Sequence, residues 1–269
     1  MGLKKCKIFG KYKFFYLEND RYIGQRIALE KYEPYETELI LKQVKIGDVV
    51  VDVGANVGYY TVLLADKVGL SGKVYAFEPD KTSFEILERN VAENKLKNVV
   101  AVNAAVGSKN GKLKLHRSEE NFGDHKLYGK AEKTSQVKIV KLDDFIKEAV
   151  DLIKIDTQGW EPEVIKGAQK VILKNKPTIF MEYSPAGYKQ AKLNGREMMK
   201  NLAGIYKKIW WIDEWLYIYR NLSQERIDKI CATNKTGYAD LWMKDKLNWS
   251  DVWGKYKNVK IKQLIKNLV

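Results

Sequence analysis

Short apolar runs alternate with longer segments of helical spacing along most of this chain. Val49–Val53 is a run of β-branched residues broken only by Asp52, which is typical of a strand buried on both faces of a parallel sheet. Tyr59–Val68 then shows helical periodicity. Further strand-like runs follow at 73–77, 99–106, 151–156 and 177–183, and helical patterns occupy 80–94, 163–173 and 188–203. This alternation predicts a Rossmann-like α/β protein.

The first 46 residues predict an N-terminal hairpin and a helix. Between residues 6 and 30, apolar and polar positions alternate on both sides of Asn19 and Asp20, which are turn-prone, so the pattern indicates a β-hairpin that turns there. Residues 33–44 are helical, with Pro34 at an early position. We expect the hairpin to serve as a lid or flap before the core.

The alternation of strand and helix stops after Gly107. Residues 111–118 and 135–142 each alternate polar and apolar positions, as strands with one exposed face do. A polar segment, 119–134, lies between them. The pattern predicts an inserted β-hairpin whose tip, including His125, stands near the ligand.

The C-terminal part of the chain is rich in aromatic residues and lysine. Residues 207–219 are aromatic and extended, 223–232 predict a helix, 237–244 predict a last strand, and 255–269 carry apolar residues on one helical face. We expect that last helix to dock on its own domain, with a membrane surface as the alternative. The chain is therefore divided into an N-terminal hairpin and helix (1–46), one main domain (47–245) and a basic C-terminal helical extension (246–269).

The turn that follows the first core strand carries the first chemical signal. Its glycines stand at Gly54 and Gly58 with Asn56 between them, so it lacks the G-x-G-x-x-G spacing of a dinucleotide-binding turn. Asp52 would repel a pyrophosphate and suits a ligand with positive charge. Glu78 ends the next strand, where a carboxylate can accept both hydroxyls of a ribose. These features fit S-adenosylmethionine, which has a sulfonium, an ammonium and a ribose, and we expect backbone N–H groups of the turn to converge on it.

Composition narrows the setting. With 269 residues, 45% of them hydrophobic, the chain is long enough for one large α/β domain with additions. Cys6 and Cys231 are far apart, which favours a reduced, cytoplasmic setting over a disulfide framework. There is no run of about 18 apolar residues to predict a membrane span, and the first residues do not resemble a secretory signal. The histidines and cysteines lack the spacing of a metal site, so we predict no metal.

The net charge of +14 lies mainly in the two flanks. Residues 1–46 carry 10 basic and 6 acidic side chains, residues 47–184 carry 21 and 20, and residues 185–269 carry 17 and 8. Basic flanks would attract an anionic partner, either nucleic acid or a lipid surface. Lysine enrichment for solubility or heat tolerance explains the same distribution without a partner, and we favour it.

Taken in order and spacing, the motifs resemble the FkbM-type branch of the class I S-adenosylmethionine-dependent methyltransferases. The matching pieces are Tyr32-Glu-Pro-Tyr-Glu36, Asp52-Val-Gly-Ala-Asn-Val-Gly-Tyr-Tyr-Thr61, Ala76-Phe-Glu-Pro79, Asn103-Ala-Ala-Val-Gly107, Leu142-Asp-Asp-Phe145, Lys154-Ile-Asp-Thr-Gln-Gly-Trp-Glu161, Gly167-Ala168 and Glu182-Tyr183. One position departs from the family pattern, since the family usually has glutamate where this chain has Gln158.

The resemblance implies a doubly wound seven-stranded sheet whose last strand is antiparallel, with helices on both faces. It implies S-adenosyl-L-methionine as cofactor, S-adenosylhomocysteine as product, and methyl transfer to a hydroxyl oxygen, commonly on sugars, polyketides or related small molecules. Carried over by position, the cofactor-binding residues are Glu36, Asp52, Gly54, Ala55, Asn56, Gly58, Glu78, Pro79, Asn103, Ala104, Ala105 and Asp156. The turn at 52–58 would shape the methionine end with help from Glu36, Glu78 would take the ribose, and 103–105 would border the adenine.

Three residues are candidates for catalysis, because the protein mainly has to align the acceptor oxygen with an activated methyl group and remove a proton. Asp156 follows the fourth core strand, at the edge where α/β sheets place ligands. Glu161 is a second candidate, with a helix-start acid as the alternative interpretation. His125 has a side chain that titrates near neutrality, with a solvated loop residue as the alternative.

The sequence favours an enzyme, an S-adenosylmethionine-dependent O-methyltransferase that acts on a glycan or another small hydroxylated metabolite. Two alternatives keep the cofactor: a methyltransferase of nucleic acid, suggested by the basic flanks, and a non-catalytic protein that binds S-adenosylmethionine, suggested by Gln158. A nicotinamide-dependent dehydrogenase is the rival at the level of the fold, and an ordinary α/β turn with incidental acids is the structural alternative. The oligomeric state is not predicted.

Overall fold

The computed structural model describes residues 2–118, 124–130, 133–213, 218–221, 223–233 and 238–244. The strands in these ranges are β1 (Leu3–Ile8), β2 (Tyr12–Leu17), β3 (Val49–Val53), β4 (Lys73–Phe77), β5 (Val99–Val102), β6 (Ala105–Val106), β7 (Gly111–His116), β8 (Thr134–Val140), β9 (Leu152–Ile155), β10 (Thr178–Tyr183), β11 (Ile209–Asp213), β12 (Ile218–Asn221) and β13 (Ala239–Met243). The helices are α1 (Gly24–Ala28), α2 (Pro34–Gln43), α3 (Tyr59–Val68), α4 (Lys81–Glu93), α5 (Leu142–Phe145), α6 (Glu161–Gly167), α7 (Gln169–Asn175), α8 (Pro185–Ala191), α9 (Gly195–Ile205) and α10 (Gln224–Thr233). The predicted helical extension, 246–269, and part of the inserted hairpin's tip lie outside the described residues.

The main sheet has the strand order β12-β11-β13-β10-β9-β3-β4-β5. Strands β5, β4, β3, β9 and β10 are parallel, and β13 lies antiparallel between β10 and β11. This confirms the predicted seven-stranded sheet with an antiparallel last strand. One further edge strand, β12, pairs antiparallel with β11; the sequence had placed both in one extended segment, 207–219.

Alternate residues of the central strands enter cores on the two faces of this sheet. Val50 and Leu152 pack with the N-terminal hairpin, α2 and α3, whereas Val51 and Ile153 pack with the later helices on the other face. All four side chains are completely or almost completely buried. Because both faces are covered, the strands are continuous apolar runs, and any polar residue within them needs a specific reason to be there.

The N-terminal hairpin exists, but its turn is not where the sequence predicted it. Strands β1 and β2 pair antiparallel and turn at Phe9 and Gly10, both with positive φ (48° and 63°). The expectation that the hairpin turns at Asn19 and Asp20 was wrong. A turn is present there, with the N–H of Asp20 donating to the carbonyl of Leu17, but it follows β2 and does not join β1 to β2. Asp20 also has a second role. Its carboxylate accepts the backbone N–H groups of residues 22, 23 and 24 and so organises the start of α1.

Asn90 of α4 and Asn94, which caps the end of α4, bind the backbone of β2. The side chain of Asn90 accepts the N–H of Phe15 at 2.6 Å and donates to its carbonyl at 3.1 Å, and Asn94 makes the same pair with Lys13. Asn90 also donates to the carbonyl of Val57 at 2.7 Å. The hairpin is thus fixed to the main domain, and through Asn90 it is joined to the glycine-containing turn.

The inserted hairpin is confirmed as part of a three-stranded sheet of order β6-β8-β7. Strands β7 and β8 are antiparallel, and the short β6 runs parallel to β8. The predicted strand 99–106 is therefore divided: β5 belongs to the main sheet and β6 to the small one. This division carries the chain from the main sheet to the insertion.

Two helices predicted as continuous are each divided. The segment 163–173 contains α6 and α7, and the segment 188–203 contains α8 and α9, where Lys192 adopts a left-handed conformation and Asn194 caps the new helix. No helix within the described ranges is long and apolar enough to cross a lipid bilayer.

Candidate active site

A cleft opens at the carboxyl ends of β3, β4 and β9, at the edge of the sheet where the sequence analysis expected a ligand. Including its open mouth it encloses about 830 Å³, which is within the range of small-molecule sites. We call it the main cleft. Its lining combines the turn after β3, the end of β4, the segment 104–106, residues of the inserted sheet and the segment after β9.

Asp52 is the most deeply buried acid of the main cleft, at 1% exposure. One carboxylate oxygen, Oδ2, accepts a hydrogen bond from the hydroxyl of Thr61 at 2.6 Å. Among the described residues, none supplies a hydrogen-bond partner to the other oxygen, Oδ1. Burial raises the pKa of Asp52, and the positive charge of Lys154 opposes that rise. An acid held in this way is suited to a ligand that brings its own donor or positive charge.

Gly54 is required where two loops meet. Its φ is +82°, and a Cβ built on it would lie 1.8 Å from the carbonyl oxygen of Asp156. Gly58 also has a positive φ, and a Cβ there would lie 3.1 Å from Leu87 of α4. Gly58 therefore permits the close packing of the turn against α4.

The backbone N–H groups of the turn 54–58 all bond within the protein. Those of residues 54 and 55 donate to the carbonyl of Phe77, and that of Gly58 donates to the carbonyl of Ala55. The N–H of Asn56 donates to Glu78, and that of Val57 donates to the side chain of Asn56. The expectation that these groups converge on a ligand was wrong, because the turn satisfies them internally. For the same reason it is not a pyrophosphate cradle.

Glu78 lies at the far side of the turn, only 6% exposed. Its two oxygens accept the N–H groups of Asn56 and Asp80, each at 2.8 Å, which leaves one lone pair on each oxygen for a ligand. Burial raises the pKa of Glu78 to about 8. Glu78 thus contacts the turn at Asn56, whereas Asp52 belongs to β3, which precedes the turn.

The adenine-side residues divide into two groups. Pro79, Ala104 and Ala105 line the main cleft, together with the apolar side chains of Leu115 and Leu127. Asn103 does not contribute to this lining; its amide donates to the carbonyls of Glu78 and Pro79 at 2.8 and 3.1 Å. Asn103 thus supports the backbone that follows β4.

Asp156 lies just beyond β9 and is held from two sides. Its Oδ1 accepts a 2.8 Å hydrogen bond from the amide of Gln158, and its Oδ2 lies 3.5 Å from the ammonium of Lys154. The same Gln158 amide donates to Glu182 at 3.2 Å. A glutamate at position 158 would place a third carboxylate beside Asp156 and Glu182, and the three would repel one another. The neutral amide of Gln158 instead donates to both acids.

A second, smaller pocket adjoins the main cleft, and the two share Lys154 and Asp156. We call it the acidic pocket. It is lined by Glu33, Glu36, Lys154, Ile155, Asp156, Glu182, Tyr238 and Asp240. Glu36 therefore lies beside Asp156 and away from the turn 54–58. Burial, and then the charge of Asp156, raise the pKa of Glu182 well above its ordinary value.

Glu161 lines neither cavity. It is the first residue of α6 and is fully buried. Its Oε1 accepts the N–H and the hydroxyl of Thr157 at 2.9 and 2.8 Å, and the N–H of Gly159 at 3.2 Å. This geometry is that of a brace for the turn after Asp156, which agrees with the alternative interpretation given above.

His125 does line the main cleft, on the side of the inserted sheet. Its Nδ1 accepts the backbone N–H of Ser118 at 3.0 Å, and its Nε2 lies 4.0 Å from a carboxylate oxygen of Asp80. A neutral imidazole that accepts at Nδ1 carries its proton on Nε2. Burial lowers the pKa of His125. With its accepting nitrogen engaged, His125 is less suited than Asp156 to remove a proton.

Sequence reasoning missed Lys154 as a site residue, and it quoted Glu182 only as part of a motif. Lys154 lines both cavities although it belongs to a strand that is otherwise apolar. The sequence could have identified it, because a lysine within an otherwise apolar, fully buried strand is rare unless it is paired.

The main cleft fits S-adenosylmethionine. The buried Oδ1 of Asp52 suits the ammonium, the remaining lone pairs of Glu78 suit ribose hydroxyls, and the apolar wall at 104–106 suits a purine ring. Within the described residues, no group of three or more acids, histidines or cysteines is placed to hold a metal ion.

The strand order and the cleft together define a class of protein, the class I S-adenosylmethionine-dependent methyltransferase fold. The chain belongs to the methyltransferase FkbM domain family, whose model matches residues 52–241.

Several known proteins are similar to this chain. Methyltransferase 1 of Beauveria bassiana is 28% identical over 144 residues, which cover 44% of this chain and 57% of the relative. The hexuronic acid methyltransferase AglP of Haloferax volcanii is 27% identical over 134 residues, covering 48% of this chain and 53% of that protein. The crystal structure of methyltransferase FkbM from Methylobacillus flagellatus aligns with a TM-score of 0.47 at 18% identity, over 75% of this chain and 44% of that one. The chain thus spans little more than half the length of the curated relatives it matches.

Proposed function

We propose that this protein transfers the methyl group of S-adenosylmethionine to a hydroxyl oxygen of a glycan or another small hydroxylated metabolite. The observation that carries the proposal is the position of Asp156, where the main cleft meets the acidic pocket. With the cofactor in the main cleft and the acceptor in the acidic pocket, Asp156 stands between them.

S-adenosylmethionine, when bound, supplies a methyl group activated by its sulfonium. Asp156 has one of two roles in this reaction. It accepts the proton of the acceptor hydroxyl, or it orients that hydroxyl while the proton is lost to solvent. Gln158 fixes the carboxylate for this task through its 2.8 Å hydrogen bond.

The acidic pocket supports a hydroxyl-bearing acceptor. Carboxylates such as those of Glu33 and Glu36 accept hydrogen bonds, and neutral glycans carry many hydroxyl groups that can donate them. A relative that is named a hexuronic acid methyltransferase agrees with a sugar-like acceptor.

A nucleic acid acceptor has less support from the N-terminal flank. Lys4, Lys5 and Lys11 of the hairpin lie 2.6 to 2.8 Å from carboxylate oxygens of Glu18, Glu93 and Asp66. Their charges are thus largely balanced by neighbours within the protein, which weakens attraction to phosphate groups.

The test is transfer of a labelled methyl group from S-adenosylmethionine to separate panels of glycans, polyol metabolites, lipids and RNA. We expect labelling of a hydroxylated glycan or metabolite, and at least a 100-fold slower rate for Asp156→Asn, which corresponds to about 2.7 kcal/mol of barrier. Asp66→Asn, a change of the same kind at the far end of α3, is the control.

Labelling of RNA alone would favour the nucleic acid alternative. Binding of S-adenosylhomocysteine without transfer to any panel would favour the non-catalytic protein.

A further inference from the structure

Lys154 carries a buried charge at the centre of the main sheet. It is 4% exposed, and its neighbours along β9 are Leu152, Ile153 and Ile155. Burying an ammonium costs several kcal/mol unless it is well paired. A lysine in this position therefore needs a partner whose attraction offsets the free-energy cost of its desolvation.

The contacts within the protein satisfy Lys154 only in part. Its ammonium lies 3.5 Å from Asp156, the outer limit of a hydrogen bond, and 4.5 Å from the centre of the Tyr60 ring. Burial opposes its charge, but Asp156 and the nearby acids Glu33 and Glu36 outweigh that penalty, so the pKa of Lys154 lies above its ordinary value. The side chain is charged and retains donors that can reach a ligand.

An opposite charge stands beside it on the same face of the sheet. Asp52 of β3 is in register with Lys154 of β9, and both side chains line the main cleft. Lys154 nevertheless pairs with Asp156, while Oδ1 of Asp52 has no hydrogen-bond partner among the described residues. An anionic and a cationic group therefore stand next to each other at one end of the cleft.

The other groups that normally bind a carboxylate are already used in this turn. All five backbone N–H groups from Gly54 to Gly58 donate within the protein. Lys154 is the one lysine or arginine among the described residues that line the main cleft. A negative group entering next to Asp52 therefore has Lys154 as its counter-ion.

We propose that Lys154 and Asp52 together recognise the zwitterionic amino-acid end of the cofactor, with Lys154 binding its α-carboxylate and Asp52 its ammonium. This assignment rests on the proposed function, since it concerns the same cleft. It makes Lys154 a cofactor-binding residue that selects ligands carrying a carboxylate.

The test compares ligands that differ only at this end. Calorimetry measures the dissociation constants of S-adenosylhomocysteine, its decarboxylated analogue, and 5′-methylthioadenosine, which lacks the whole amino-acid group. The unmodified chain should bind S-adenosylhomocysteine about 10 to 100 times more tightly than the decarboxylated analogue, in line with a charge-assisted hydrogen bond.

Lys154→Met should remove that preference. We expect its affinity for S-adenosylhomocysteine to fall by the same 10- to 100-fold factor, while its affinity for 5′-methylthioadenosine stays within about twofold. Lys138→Met, a substitution of an exposed strand lysine, is the matched control and should bind all three ligands like the unmodified chain.

Three results would overturn the assignment. Equal weakening of all ligands by Lys154→Met would show that Lys154 acts on the fold or on Asp156. Equal affinity of the unmodified chain for S-adenosylhomocysteine and its decarboxylated analogue would show that no side chain binds the carboxylate. This measurement does not depend on whether the variant folds. No binding of S-adenosylhomocysteine at all would overturn the proposed function together with the assignment.

Discussion

Burial changes the acid–base behaviour of single carboxylates in the main cleft. Asp52 and Glu78 in the main cleft have raised pKa values, as does Glu182 in the acidic pocket, and in each case removal from water is the largest cause. Raised pKa values of this kind are common where a protein prepares acids for a ligand. For Glu78 the pKa of about 8 lies close to neutral pH, so it can be tested directly.

We expect the stability of the ligand-free chain to depend on pH through Glu78. A carboxyl whose pKa rises from 4.5 to about 8 on folding stabilises the fold fully below its unfolded pKa, and that stabilisation is lost as the pH rises through about 8. As the pH rises from 4.5 to about 8, the free energy of unfolding should fall by up to about 1.4 kcal/mol per pH unit because of Glu78.

Urea denaturation of the unmodified chain and of Glu78→Gln across this pH range measures the effect. The slope with pH should be shallower in the variant, whatever the absolute stability of each protein. Glu85→Gln is the control, since Glu85 is an exposed acid in α4, the helix that follows Glu78. Identical slopes for Glu78→Gln and the unmodified chain would contradict the prediction.

Gln158 has a structural role that its position in the sequence motif did not predict. The sequence marked it as a departure from the family pattern and used it to suggest loss of catalysis. In the structure its amide donates to both Asp156 and Glu182. The amide therefore supports the acid that we propose as the proton acceptor, and it needs no carboxylate of its own for that role.

At the scale of elements, the active site depends on the close approach of the segments that follow β3 and β9. These parallel strands are adjacent, and the backbone of Gly54 touches that of Asp156. Only glycine leaves room for this contact, so the motif residue that the sequence marked for its turn is equally necessary for packing.

Gly54→Ala should therefore lower the free energy of unfolding by more than the strain of a positive φ at alanine alone would. Gly10→Ala is the matched control, because Gly10 also has a positive φ but an added Cβ there meets nothing within 4 Å. We expect Gly10→Ala to cost about 1 kcal/mol of unfolding free energy and Gly54→Ala about 3 kcal/mol or more. Denaturant unfolding of both variants checks this, with S-adenosylhomocysteine affinity lost only in the second. Equal costs would mean that the loops separate freely.

Elements were predicted well where a long periodic pattern identified them and poorly where one polar residue had two possible tasks. Helix α2 and strand β3 match their patterns almost residue for residue. The turn of the N-terminal hairpin did not match its predicted position, because an Asn-Asp pair favours a hairpin turn and also a helix start. Which of these forms depends on the backbone that follows, and the alternation of apolar residues does not encode that.

At the scale of the whole molecule, the class of ligand follows from how the turn after β3 uses its own hydrogen-bond donors. A nicotinamide dinucleotide needs free N–H groups for its pyrophosphate, and here the groups of residues 54–58 are all engaged.

S-adenosylhomocysteine should accordingly stabilise the folded chain, and NADH should not. At 100 times its dissociation constant, a ligand that binds only the folded state adds about 2.7 kcal/mol, which raises the midpoint of thermal unfolding by roughly 5 to 10 °C for a chain of this size. Thermal unfolding with each ligand at equal concentration checks the prediction. A shift produced by NADH of similar size would contradict it.

The sequence by itself determined the order of the central strands and helices along the chain, and the family. These depend on local patterns, namely apolar runs, helical spacing and glycine positions, which act between residues near in the chain. They can be predicted without coordinates because each depends on residues that are close together along the chain.

Only the tertiary structure decided which side chains share a cavity and which donors are already used. Lys154 and Asp52 are 102 residues apart, and their alignment on neighbouring strands is a property of sheet register. The engagement of Asn103, Glu161 and His125 with nearby backbone likewise appears only when the chain is folded. The physical reason is that burial and hydrogen-bond satisfaction depend on every neighbour in space, whereas the sequence specifies neighbours along the chain alone.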